Sequence, residues 1–420
     1  MKPTPMPLAD VDLDNLDYFV ANDAWSMFET LRSDDPVHWT DENHSDGHGF
    51  WSVVNYEDIE AVNKDAETFT STKFTNLEEP PEEFQDLRRS ILESDGSRHQ
   101  ALRKLLARDF SVAQLRRYEE FLRDLARITI DQAFAQGDVD FVEAIAADFP
   151  IQVLARLLAT PDEMTPQLIT WGNAIVGFSD PELSNTLVDS DEAQQYKHLP
   201  FRSPVSQEIF DYGRQLAAER KGGDGEDLVS KLVNRLPEDG IPLTDSDFDN
   251  YFLLLVVAGN ETTRQAITLS MKALMDNPDQ MQYFLDHMDK SQQMVEELIR
   301  YASPVYHFRR TATKDLELHG KQIKEGDKVV QWFAAGNRDP KKFENPYQLD
   351  LSRFPNDHMT FGKGPHSCMG ANLARLEIRI LFEELLPRIA TIEQTGPIER
   401  VRSNFVNGVK RFPVRLTEKK

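Results

Sequence analysis

The sequence predicts a mainly α-helical protein carrying small β-sheets. Two observations support this. From about Ser97 onward, apolar residues recur at helical spacing: Leu102, Leu105 and Leu106 share one face, and Leu122, Leu125 and Ile128 share another. Strand-like runs are short and scattered, at residues 36–39 and 50–54, then 315–318, 328–332 and 411–416. No internal repeat and no Gly/Ser linker divides the 420 residues, so residues 1–420 are read as one domain. With 40% hydrophobic and 10% aromatic residues, that domain can bury a large core.

Composition excludes several functions. The 47 Lys+Arg against 71 Asp+Glu give a net charge of −24, which disfavours nucleic acid and anionic membranes as partners. The longest apolar run, residues 251–259, falls far short of the roughly 20 residues a membrane span needs. The first residues, Met1 to Pro7, contain no apolar secretion signal, so the expected location is cytoplasmic. A single cysteine rules out an intrachain disulfide and any multi-cysteine zinc or iron–sulfur site.

Along the chain, residues 71–94 and 179–206 lack clean periodicity. The second segment is polar and acidic, with Asp180, Asp189, Asp191 and Glu192. Long irregular segments in a compact protein are usually functional, and both are expected to be lids over a site. Between them, His99 and Arg103 fall one helical turn apart. Residues 244–276 read as one helix roughly 50 Å long, enough to cross the molecule. Its first half is apolar nearly all round, as buried helices are. Within it lies Ala258-Gly259-Asn260-Glu261-Thr262-Thr263. An interior glycine costs about 1 kcal/mol relative to alanine, which a close approach by a bulky planar group would justify. Further on, Glu297 and Arg300 sit at i and i+3, where their charges can meet.

The lone cysteine lies in Phe361-Gly362-Lys363-Gly364-Pro365-His366-Ser367-Cys368-Met369-Gly370. Immediately after it, Leu373, Leu376 and Ile380 form a helix stripe. Cys368 is therefore expected at a glycine-rich loop entering a helix N-terminus, where backbone amides favour a thiolate. A thiolate there is a nucleophile or a metal ligand.

Phe361, Gly364, Cys368 and Gly370 resemble the haem-binding loop of the cytochrome P450 monooxygenases. The segment through Glu261 and Thr262 is similar to that family's oxygen-activating helix. Glu297, Arg300 and a later arginine, Arg353, follow its Glu-x-x-Arg network and meander. The resemblance runs nearly the full chain and implies an α-rich triangular prism around a buried haem b. It implies Cys368 as the iron ligand, with Ala258 and Gly259 beside the cofactor and Glu261 and Thr262 relaying protons. Its propionates would be held by His99, Arg103, Arg310 (preferred over Arg309) and His366; His307 and His358 are read as structural. By family position, the substrate walls would be Phe74, Val176, Phe178, Val257, Ala258, Val305, Phe308 and Val406.

The same resemblance implies one-oxygen insertion from O2 into a small hydrophobic substrate, and several stretches look like the bacterial branch that oxidises steroids and branched lipids. Oxidative O-demethylation of a small methoxylated compound and haem-based gas sensing or carriage are the alternatives. No G-x-G-x-x-G or P-loop is present, so electrons are expected from NAD(P)H through a separate ferredoxin and reductase. Lys104, Arg108, Lys363, Arg375 and Arg379 could form a local basic patch for that acidic partner.

Overall fold

The computed structural model describes residues 2–43, 47–184, 186–188 and 190–420. Positions 185 and 189 of the expected second lid, Asp189 among its acidic residues, lie outside the described residues. The helices that position the site are α1 (Tyr56–Lys64), α2 (Gly96–Lys104), α3 (Glu119–Gln136), α4 (Asp148–Leu158), α5 (Thr165–Val176), α6 (Asp245–Ala258), α7 (Glu261–Asp276), α8 (Ser291–Ala302) and α9 (Ala371–Leu385). One large apolar core runs through most of them, with α7 packed on α8 and α9 on α3. Leu122 and Leu125 of α3 are buried in it, but Ile128 is 54% exposed, because the buried face continues through Ala126, Ile130 and Ala133 instead.

A five-stranded sheet flanks the helices. Its strands are β1 (Val37–Thr40), β2 (Phe50–Val53), β3 (Phe69–Thr70), β4 (His307–Ala312) and β5 (Lys328–Trp332), in the order β1-β2-β5-β4-β3. β5 runs parallel to β2 and antiparallel to β4. Successive side chains of a strand point to opposite faces. Val330 and Trp332 accordingly join Phe28 and Phe50 in one core, while Val329 joins Val37, Val53 and Tyr56 in another. Among the described residues, three smaller sheets include one pairing Pro413–Glu418 with Asp138–Asp140 and Ile389–Gln394. The short strands read from sequence appear within a residue or two, whereas β4, with its two arginines, was not among them.

The expected continuous helix over 244–276 is two helices. Thr244 caps the start through a reciprocal box with Asp247. The break falls at Gly259 and Asn260, between α6 and α7. Glycine weakens the helix there. Thr262 Oγ1 also donates to the Ala258 carbonyl at 2.9 Å, and such back-bonding bends helices. Among the described residues, no helix is long and apolar enough to cross a membrane.

Candidate active site

The cysteine loop owes its shape to two glycines. Gly362 and Gly364 both adopt φ +65°, a left-handed conformation that other residues rarely take. A Cβ on Gly364 would also meet Asn63 O at 3.0 Å and Lys64 Cα at 3.1 Å, so the loop lies against the end of α1. Asn63 Oδ1 accepts from the Lys363 amide at 2.5 Å, and the Cys368 amide donates to Phe361 O at 2.7 Å. The Arg375 guanidinium stacks 4.4 Å from the Phe361 ring centre and pairs with Glu296 at 2.7 Å.

The loop, the first turn of α9 and the α6–α7 break enclose a cavity of about 310 Å³. Cys368 is exposed to this space although protein surrounds it. Burial pushes its thiol pKa up, against the Gly370 and Ala371 amides and the Arg103 and Arg375 charges that pull it down. The helix N-terminus expected to favour a thiolate is therefore outweighed by desolvation. A cation bonded to the sulfur would reverse the balance. Ala258 is also exposed, deep within the molecule, because it borders the cavity. Gly259 borders it too, but the tight approach to Gly259 comes from elsewhere: a Cβ there would meet Leu255 O at 3.1 Å and Leu154 Cδ1 at 3.3 Å. A Cβ would thus press on α4, which gives an intramolecular reason for a glycine at this place beside the cavity.

Basic residues gather on the cavity wall. His99 and Arg103 come from α2, Arg310 from β4 and His366 from the cysteine loop. The His99 and His366 rings stack at 4.0 Å, and His366 Nε2 lies 2.9 Å from Asp95 Oδ1. Burial and the charges of His366, Arg103 and Arg310 push His99 down to about 4. Burial likewise brings Arg310 down to about 10. Among the described residues neither Arg103 nor Arg310 has a carboxylate partner, an expensive arrangement unless an anion joins them. Arg309, by contrast, is committed to Glu79 at 2.7 Å.

Glu261 and Thr262 both border the cavity, but they are not hydrogen-bonded together. Glu261 Oε1 accepts from Arg264 at 2.5 Å and Gln265 at 2.8 Å, while Oε2 is buried without a partner. Arg264 also reaches Asn173 on α5 at 2.5 Å.

Val176, Val257, Val305, Phe308 and Val406 line the cavity. Two predicted wall residues do not. Phe74 takes a left-handed φ of 72° and lies under the Arg88 guanidinium, and Phe178 faces Phe201 across 5.7 Å in a neighbouring space. Wall residues missed from sequence include Ile91, Leu92, Phe201, Leu254 and Phe405. Ile91 and Leu92 are an apolar pair inside a polar stretch, and that contrast was the available signal.

Glu297, Arg300 and Arg353 come together away from the cavity. Arg300 grips both Glu297 oxygens at 2.7 Å and donates to the Asn337 and Pro346 carbonyls, and Arg353 and Asn356 complete the cluster. The expected basic patch is less free than it looked. Lys104, Lys363, Arg375 and Arg379 pair with Glu238, Asp357, Glu296 and Glu119 respectively.

A family model described as Cytochrome P450 matches residues 44–408. The methyl-branched lipid omega-hydroxylase of Mycobacterium tuberculosis strain H37Rv is 35% identical, over 98% of this chain and 96% of that protein. A steroid C26-monooxygenase of Rhodococcus jostii is also 35% identical, over 96% of this chain and 84% of its own. A Mycobacterium marinum cytochrome P450 solved in complex with pseudoionone superposes with a TM-score of 0.87 and 36% identity, covering 98% of this chain and all of that one.

Proposed function

The chain belongs to the cytochrome P450 family and is a monooxygenase, and on that premise we propose that it hydroxylates the hydrocarbon end of a branched lipid or steroid. When bound, haem supplies dioxygen activation and transfer of one oxygen atom to a C–H bond. The residues present suit such a group: a lone thiol opens into a cavity whose wall also carries two arginines that, among the described residues, pair directly with no carboxylate. That pairing of ligand and unmatched positive charge carries the reading. Cys368 would hold the iron, and His99, Arg103, Arg310 and His366 the two carboxylates. With one cysteine there is no thioether attachment, so haem b is the form proposed.

Thr262 is the hydroxyl that would serve the chemistry. Its proton is spent on Ala258 O, which leaves the oxygen lone pairs to accept from a cavity water and keep a proton donor in place. Glu261 would feed that chain from Oε2, the oxygen that Arg264 and Gln265 leave open. Glu297, Arg300 and Arg353 brace the cysteine loop rather than touch the substrate.

The apolar walls suit a hydrocarbon, and the relatives named for methyl-branched lipids and steroids point the same way. Electrons would come from NAD(P)H by way of a ferredoxin and its reductase. Segments 71–94 and 179–206 would act as lids, held shut where Glu78 of the first pairs with Arg202 of the second at 3.0 Å and with Arg88 at 2.5 Å. The carbon monoxide spectrum of the reduced protein tests the ligand: wild type should give the thiolate-shifted Soret band, and Cys368→Ser should lose it. An unshifted band in wild type would overturn the assignment. Spin-state titration against branched lipids, steroids, terpenoids and methoxylated aromatics tests the substrate class, and a response to the last alone would refute it.

A further inference from the structure

β4 separates two spaces. By strand alternation Phe308 and Arg310 face the cavity at Cys368, while His307 and Arg309 point to the other side. There His307 borders a second cavity of about 240 Å³. Asn76, Phe201 and Phe405 line both, so the two spaces adjoin across these side chains.

The second cavity is polar, and its charges are already matched. Lys328 pairs with Glu42 at 2.8 Å, Arg202 with Glu78 at 3.0 Å, and Arg402 with Asp17 at 3.1 Å. Asp14 and Glu79 also border it. A ligand carboxylate would find acids there and, among the described residues, no uncommitted cation, which is unfavourable in a buried site. An uncharged group meets no such penalty.

His307 is the unmatched element. It is 1% exposed, its ring lies edge-on to Trp332 at 4.7 Å and Phe405 at 5.7 Å, and neither ring nitrogen meets a hydrogen-bond partner; Asn404 lies beside it without a well-aligned bond. Asn76 Oδ1, on the shared boundary, is likewise buried and unpartnered. Burial pushes His307 down to about 3, so at neutral pH it is an uncharged imidazole with one donor and one acceptor. Unpaired buried polar groups are rare and costly, and a ligand oxygen would remove the cost.

We propose that this second cavity is the head-group site of the substrate, in which His307 and Asn76 hydrogen-bond an uncharged hydroxyl or carbonyl while the hydrocarbon tail extends into the first cavity, toward Thr262. This rests on the substrate reading above and sharpens it: the favoured ligands are neutral alcohols and ketones of branched or steroidal skeleton, not free acids. His307, read from sequence as structural, becomes a specificity-determining residue.

The test uses the haem-loaded enzyme and four ligands of one branched series: farnesane, hexahydrofarnesol, hexahydrofarnesoic acid and the ketone hexahydrofarnesylacetone, which is three carbons longer. Affinities are measured by calorimetry and by spin-state titration. Wild type should bind the alcohol and ketone about tenfold or more tighter than the hydrocarbon and the acid. His307→Phe should erase that preference while leaving farnesane affinity unchanged, and His307→Gln, which keeps a donor and an acceptor, should restore part of it. Equal wild-type affinity for all four ligands, tightest binding of the acid, or an equal loss for all four in His307→Phe would overturn the head-group site yet leave the hydrophobic-substrate reading standing. Silence from all four would overturn both.

Discussion

At the residue scale, the chemistry-bearing side chains were legible because each sits in a pattern no packing requirement explains. Cys368 between glycines and Thr262 beside an acid in an apolar helix are of this kind. What a side chain bonds to was not legible. Glu261 pairs with Arg264 and Gln265 on its own helix, and nothing in the sequence chooses that over a bond to Thr262. Phe74 and Phe178 do not line the cavity at Cys368, because their direction depends on irregular backbone, including a positive φ at Phe74; Phe178 lines the second cavity instead. Thr262→Ala should retain haem and substrate binding but divert reducing equivalents to peroxide. Product formed per NAD(P)H, measured with a surrogate ferredoxin and reductase, should fall severalfold, and an unchanged ratio would remove Thr262 from the relay. Arg264→Met leaves Glu261 buried without its cation. Breaking a buried pair in this way costs about 3–5 kcal/mol, so denaturant midpoints should drop accordingly.

At the element scale, helices with a one-sided apolar stripe were readable, but their ends and breaks were not. The split between α6 and α7 falls where Gly259 leaves no room for a Cβ beside Leu154 of α4, a tertiary fact, and where Thr262 bonds back to Ala258 O, a local choice that periodicity does not record. Gly259→Ala would gain helix propensity of about 1 kcal/mol but crowd Leu154 at 3.3 Å and Leu255 O at 3.1 Å. Overpacking typically costs about 1–3 kcal/mol, so thermal unfolding should show a small net loss. The pairing of Glu78 with Arg88 and Arg202 ties two segments that looked merely irregular in sequence. Glu78→Ala should speed hydrogen exchange in 71–94 and 195–206 and quicken ligand entry. Unchanged exchange in both segments would show that they are held by other contacts.

At the scale of the whole molecule, acid should be the sensitive direction. Burial alone would raise Glu296, but hydrogen bonds from His358 and Arg375 bring it down from the usual 4.5 to about 2. Its folded-state pKa is depressed, so its contribution is fully present above about pH 4.5 and is lost as pH falls toward 2. By linkage that contribution is about 3 kcal/mol at most. Glu296→Gln should therefore flatten the decline of stability between those pH values, as read from urea midpoints. The fold class could be read from composition and periodicity because a helix-rich core leaves its period in the sequence. The sheet order, in which residues near 50 pair with residues near 330, could not.

That long reach has a consequence for how the protein is made. The groups that would grip the cofactor are spread from His99 to Cys368, the loop carrying the cysteine is shaped by α1, and the strand Pro413–Glu418 closes on Asp138–Asp140. A chain still on the ribosome has its amino-terminal half free long before the cysteine emerges. Cofactor capture would then be one of the last events of biosynthesis, after Cys368 has emerged and its loop has packed against α1. Yield in cells should therefore follow the supply of haem at the moment of chain release more closely than the rate of translation.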